Sequence, residues 1–191
     1  MRKAGRKEPH DYELYDDEGT RVGVVRQVDT LRRSSALRKI TNFFEWTSTL
    51  PDVSLEVIDL HGTLLLTVHF SGEDAQYTAT VHDGSGNEIG VVAKARGLRK
   101  IHFDLKIAGF TQMTVEAEGW SGWDYLIKQG GTSIGRITQL REPFLGIPMT
   151  SDDHLLELGR AVAEPLHTLV VACAVGMDLS VSRAPLVSPP P

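Results

Sequence analysis

The side chains able to do chemistry are scattered along this chain rather than gathered. Seven histidines occur, His10, His61, His69, His82, His102, His154 and His167. None pairs with another at the H-x-x-x-H spacing by which one helix presents two zinc ligands. Apolar alternation sets His69, His82 and His102 on the outward face of strands, so they read as surface residues. No serine lies in a G-x-S-x-G elbow, and Gly84-Ser85-Gly86 reads as a hairpin turn. Gly84, Gly86 and Gly90 lead into a strand, whereas a dinucleotide-binding glycine motif opens a helix. A single cysteine, Cys173, leaves no internal disulfide and no multi-cysteine metal site. The chain therefore reads as a non-enzyme, with no catalytic residue, no metal and no cofactor.

Charge is the remaining chemistry. Lys and Arg total 20 against 25 Asp and Glu, a net charge of −5, which suits no general nucleic-acid binder. The cations lie mostly in the first half, at Arg2, Lys3, Arg6 and Lys7, at Arg32, Arg33, Arg38 and Lys39, and at Lys94, Arg96, Arg99 and Lys100. The last group stands beside Leu98 in one connection and is the candidate contact for anionic phospholipid headgroups. Asp16, Asp59 and Asp83 precede turn glycines. They lack the alternating oxygen ligands and closing glutamate of a calcium loop, so they read as turn formers. Trp120-Ser121-Gly122-Trp123 reads as packing at one end of the fold.

The elements that position these residues show as a repeat. LYDDEGTRVGVV from Leu14, VIDLHGTLLLTV from Val57, VHDGSGNEIGVV from Val81 and LIKQGGTSIGRI from Leu126 align on Gly19, Gly62, Gly86 and Gly131. An apolar residue follows three positions later in each copy: Val22, Leu65, Ile89 and Ile134. Gly23, Gly90 and Gly135 come next in three of them. Such units are β-hairpins. Period-two alternation predicts about twelve strands, over 12–16, 21–27, 42–47, 53–59, 63–70, 77–83, 88–95, 101–107, 112–118, 123–128, 133–140 and 154–158. Residues 34–44 stay ambiguous between strand and helix.

The stretch AVAEPLHTLVVACAVGMDLS from Ala161 differs from all of these. Glu164 and Pro165 suit the first turn of a helix, and the run from Leu166 to Met177 is apolar on every side. Such a helix needs burial all round, and at about 1.5 Å per residue it is shorter than the ~30 Å of a bilayer core. The expectation is mainly β: a closed antiparallel barrel of about twelve strands around a central C-terminal hydrophobic helix, with no transmembrane span.

The four hairpin copies and the apolar helix ending Met177-Asp178-Leu179 resemble the phospholipid scramblase and LURP-one-related family of the tubby C-terminal-like superfamily. VSLEVIDLHGTLLLTVHF from Val53 and YTATVHDGSGNEIGVVAKA from Tyr77 are the most similar stretches. The resemblance covers roughly residues 10–182, between a flexible basic N-terminus, 1–9, and a Pro-rich disordered tail, 183–191. It implies the barrel and a lipid-associated role, but the lipidated cysteine cluster of the eukaryotic members is missing. The calcium segment proposed for that family would fall at Ser151, Asp152 and Asp153, where only the acidic pair survives. The expected function is non-catalytic, peripheral binding of anionic phospholipid headgroups by Lys94, Arg96, Arg99 and Lys100. The alternative is a soluble partner-binding or scaffold domain with no lipid role. The expected location is cytoplasmic, with association to a membrane surface.

Overall fold

Turn chemistry builds the hairpins. Asp16 Oδ1 accepts the backbone N–H groups of Glu18 (3.1 Å) and Thr20 (2.7 Å). Asp59 Oδ1 does the same for His61 and Thr63, both at 2.8 Å, and Asp83 Oδ1 for Ser85 and Asn87, both at 2.9 Å. The N–H of each turn glycine donates back to the aspartate carbonyl. Gly19, Gly62 and Gly86 sit at φ +79°, +84° and +85°, where a Cβ would be strained. The aspartates are thus consumed as turn formers, as their spacing predicts.

These turns and two tighter ones organise a computed structural model that describes residues 2–3, 12–29, 53–71, 78–94, 102–119, 124–140 and 153–181. The strands are β1 (Arg2–Lys3), β2 (Tyr12–Tyr15), β3 (Arg21–Asp29), β4 (Val53–Asp59), β5 (Leu64–Ser71) and β6 (Thr78–Asp83). They continue as β7 (Glu88–Lys94), β8 (His102–Ile107), β9 (Phe110–Ala117), β10 (Asp124–Gln129), β11 (Thr132–Gln139) and β12 (His154–Leu158). One helix, α1 (Leu166–Val181), follows. The strands pair in chain order, every pair antiparallel, as one twelve-stranded meander.

The repeat has a structural cause that the letters alone hide. In β2–β3 the register skips Val22, in β4–β5 Leu65, in β6–β7 Ile89 and in β10–β11 Ile134. The apolar position of each copy is therefore a β-bulge, which bends its strand and deepens the twist. The glycine after it is required by the neighbouring strand. A Cβ on Gly23 would stand 2.6 Å from the Ile58 carbonyl oxygen, one on Gly90 2.3 Å from that of Lys106, and one on Gly135 2.4 Å from that of Glu157. Hairpin β8–β9 is a fifth copy, with its bulge at Gln112. The repeat pattern does not mark it, because Gln112 and Met113 stand where the other copies have an apolar residue and, mostly, glycine. Its turn is the two-residue Ala108-Gly109, both at positive φ (49° and 81°), and Gly130-Gly131 repeats that shape at 56° and 81°.

In a meander, alternate connections share an end. The five turns above lie at one end of the sheet, and the longer connections at the other. Strand β12 runs back to the turn end, so α1 starts there and runs toward the long-loop end. Of its first N–H groups, those of Leu166 and His167 donate to the Ala163 carbonyl and that of Leu169 to the Pro165 carbonyl, while Glu164 Oε2 accepts the Thr168 N–H (3.2 Å) and hydroxyl (2.6 Å). Glu164 and Pro165 precede the helix rather than forming its first turn.

The helix is enclosed. Ala172, Cys173, Ala174 and Val175 are consecutive, point about 100° apart and are all buried, so no side of this turn meets water. Contacts run to β5, β6, β7, β8 and β12, and helix and strand residues form one apolar cluster. Phe70 of β5 lies against Gly176, where a Cβ would come within 2.8 Å of the ring. The sheet therefore curls around α1. No helix among the described residues is long and apolar enough to cross a membrane.

The expected closed barrel is corrected to an open meander: among the described residues, no ladder joins β12 to β1. The two-residue β1 and five-residue β12 are short edges, which leave few backbone groups to pair. Strand β1 is an addition to the expected set. The expected strand over 42–47 and the ambiguous segment 34–44 lie outside the described residues, and β3 pairs directly with β4. The tail 183–191 also lies outside the described residues.

Candidate binding surfaces

Of the four cations expected to meet headgroups, Lys94 is described, and Arg96, Arg99 and Lys100 lie outside the described residues. Lys94 ends β7 at the long-loop end. It pairs in register with Phe103, which is 2% exposed, so its stem lies on the core side, at the mouth of the curled sheet. Partial burial lowers its pKa, because the ammonium has lost part of its water shell. Among the described residues it has no hydrogen-bond or ion-pair partner. The segment 95–100 continues from this point.

The outward histidines behave as surface residues. Ser54 Oγ and His69 Nδ1 are 2.9 Å apart across β4–β5. His102 Nε2 meets Asp104 Oδ1 at 2.9 Å, and Lys128 Nζ donates to Glu116 Oε2 at 2.6 Å, which holds the Glu116 pKa down. The His102–Asp104 contact runs along β8, and Lys128–Glu116 is a cross-strand charge pair between β9 and β10. Among the described residues, no three His, Cys, Asp or Glu side chains come together as metal ligands. Of the acidic group near residue 152, Asp153 is fully buried and its carbonyl accepts the Leu140 N–H at 2.8 Å, while Ser151 and Asp152 lie outside the described residues. Trp120 and Trp123 lie outside them as well.

An open groove of about 500 Å³ lies over β10–β12, lined by Leu126, Ser133, Arg136, Glu157, Gly159 and Arg160 among others. Its cations are already engaged: Arg136 donates to Glu118, and Arg160 to Gln129 at 2.7 Å. In the interior, burial pushes the Cys173 thiol up to about 12. Burial and repulsion from Cys173 raise the Tyr125 hydroxyl. Both are inert at neutral pH.

One surface was not legible in the motifs. On the outward face, Val24 of β3, Ile58 of β4 and Leu64 of β5 stand side by side in register. Val22, Leu60 and Leu65 extend this row toward the turn end, exposed by 44%, 57% and 49%. The signal was present in the text, since Ile58 and Leu64 break the alternation that puts polar residues outward. No family model matches the chain, and neither does any curated protein or solved structure.

Proposed function

We propose that this is a non-catalytic domain of the scramblase and LURP-one-like kind that binds anionic phospholipid headgroups at the long-loop end of its sheet. The observation that carries the reading is Lys94, a partly dehydrated ammonium at the mouth of the curled sheet without a counter-charge among the described residues. An anion arriving there restores the interaction the ammonium gave up on burial. Arg96, Arg99 and Lys100 follow within six residues and add charge along the same connection. Near an anionic surface each basic residue contributes about 1 kcal/mol, or roughly fivefold in affinity. The domain associates from the water side, at a cytoplasmic membrane face.

Sedimentation with phosphatidylcholine vesicles containing phosphatidylserine tests this at low and at physiological salt. The chain is expected to sediment at low salt and to be released as salt rises. Replacing Lys94, Arg96, Arg99 and Lys100 together by alanine should abolish sedimentation. No sedimentation at low salt, or sedimentation unchanged by the fourfold replacement, rules the reading out and leaves the partner-binding alternative.

A further inference from the structure

The repeat supplies its own control for what each hairpin position needs. The outward pair just beyond the bulge is Tyr15 with Arg21 in β2–β3, His82 with Glu88 in β6–β7, Lys106 with Thr111 in β8–β9 and Lys128 with Ser133 in β10–β11. In β4–β5 it is Ile58 with Leu64. The same fold is therefore built four times with polar or amphipathic side chains at a place where the second hairpin alone has two aliphatic ones. Turn geometry does not require Leu60 either: the equivalent positions hold Asp17 and Gly84, in turns with the same hydrogen bonds. Neither Ile58 nor Leu64 packs against the core cluster.

Aliphatic side chains that the fold does not use, gathered on one outward face, mark a contact surface. Its border is acidic. Glu13 is in register beside Val24, Glu56 lies across from Arg26 one row further along β4, and Asp59 stands at the tip. The neighbouring turn adds Asp16, Asp17 and Glu18. Three cations stand among these six carboxylates: Arg2 is in register with Glu13, Arg26 with Glu56, and Arg21 is drawn to Glu13 at 3.6 Å, so the border keeps an acidic excess.

We propose that the outer face of hairpin β4–β5 is a docking site for a cationic, amphipathic segment of a partner protein. Its apolar side chains cover Ile58, Leu60, Leu64 and Leu65, and its Lys or Arg residues meet Glu13, Glu18 and Glu56. Charge complementarity selects this occupant: the acid border repels an anionic membrane and attracts a basic polypeptide. The surface lies at the turn end, away from the Lys94 mouth. The inference stands whether or not that mouth binds lipid, and together the two sites would let the domain hold a basic partner beside a membrane.

The test uses the full chain and a fluorescein-labelled, fourteen-residue helical peptide of leucine and lysine, followed by fluorescence anisotropy. A leucine and glutamate peptide of the same pattern is the control. The cationic peptide should bind, and more weakly as salt rises, while the acidic one should not. The double variant Leu60→Ser/Leu64→Ser, which at Leu64 introduces the residue that β10–β11 carries as Ser133, should weaken binding by at least about tenfold, equivalent to ~1.4 kcal/mol. Glu18→Lys/Glu56→Lys should weaken it too and flatten the salt dependence. This second variant leaves the apolar row intact and keeps the test decisive if the first does not fold. Absence of binding, or binding indifferent to both variants, overturns the proposal. So does a dimer in sedimentation equilibrium that Leu60→Ser/Leu64→Ser dissolves, which would make a second copy the occupant. Vesicle binding lost in that same variant, with no peptide binding, would make the face a membrane contact and overturn it equally.

Discussion

Gly90→Ala is the most direct test of how the sheet is built. Gly90 has an ordinary strand conformation, so alanine would carry no backbone strain there and would be favoured by β-propensity alone. The tertiary structure predicts the reverse. A Cβ would lie 2.3 Å from the Lys106 carbonyl oxygen and 3.1 Å from Leu169 Cδ1. Relief requires the β7–β8 ladder to open by at least about 0.7 Å at its turn end, since Cβ atoms essentially never come closer than 3.0 Å to such a neighbour. Losing one or two ladder hydrogen bonds costs about 0.5–1.5 kcal/mol each, and overpacking against Leu169 adds roughly 1–3 kcal/mol. The expected loss is about 1.5–6 kcal/mol. Urea denaturation followed by tryptophan fluorescence measures it, with an unchanged m-value showing that the fold is intact. Gly86→Ala, which meets no atom within 4 Å but sits at φ +85°, should cost only the left-handed backbone penalty of about 1–2 kcal/mol. If Gly90→Ala changes stability by less than about 0.5 kcal/mol, the close approach of β8 to β7, and with it the reason for the repeat's second glycine, is wrong.

Other consequences are as specific. Ala108→Gly should stabilise the chain by about 0.5–1 kcal/mol, because alanine is held at φ 49° and glycine escapes most of that penalty despite its larger unfolded-state entropy; a destabilised variant in thermal melts would contradict the turn assignment. Gly176→Ala should destabilise the wild type by crowding Phe70, yet stabilise a Phe70→Leu background by up to about 1 kcal/mol through helix propensity, and an additive double-mutant cycle would place Gly176 elsewhere. Cys173 should resist a thiol reagent in the native state and react only at the rate of unfolding, so rapid native labelling would mean that α1 is not sheathed. The turn amides that hold Asp59 and the Asn87 groups that hold Asp83 depress both carboxyl pKa values, Asn87 through its side-chain amide first. A lowered folded pKa gives stability that is complete above the unfolded value, near 4, and is lost as pH falls through the folded value. Asp59→Ala/Asp83→Ala should thus lose less stability than wild type between pH 5 and 2, and equal acid sensitivity in denaturation curves would refute the linkage.

Much of this was readable from residues because the governing physics is local. An Asp-x-x-Gly segment makes its turn from its own amides, so Asp59 and Gly62 announce their hairpin without help from the rest of the chain. Alternation announced the strands for the same reason, and an apolar run from Leu166 to Met177 could find burial only inside something. The fifth hairpin stayed hidden because a bulge does not demand a particular side chain: Gln112 and Met113 occupy it as readily as Ile134 and Gly135.

Register, curvature and spacing between neighbouring strands belong to the tertiary structure. They decided that Gly23, Gly90 and Gly135 are glycines because of a carbonyl on the next strand, a contact 18 or more residues away in two of the three cases. They decided that Lys94 lies on the core side at the mouth of the sheet, since facing is set by pairing with Phe103 rather than by charge. They aligned Val24, Ile58 and Leu64 from three strands into one partly exposed, outward-facing row that no single segment contains. And they left the sheet curled but unclosed, because closure depends on whether two distant edges meet, and hairpin-by-hairpin turn chemistry carries no information about that.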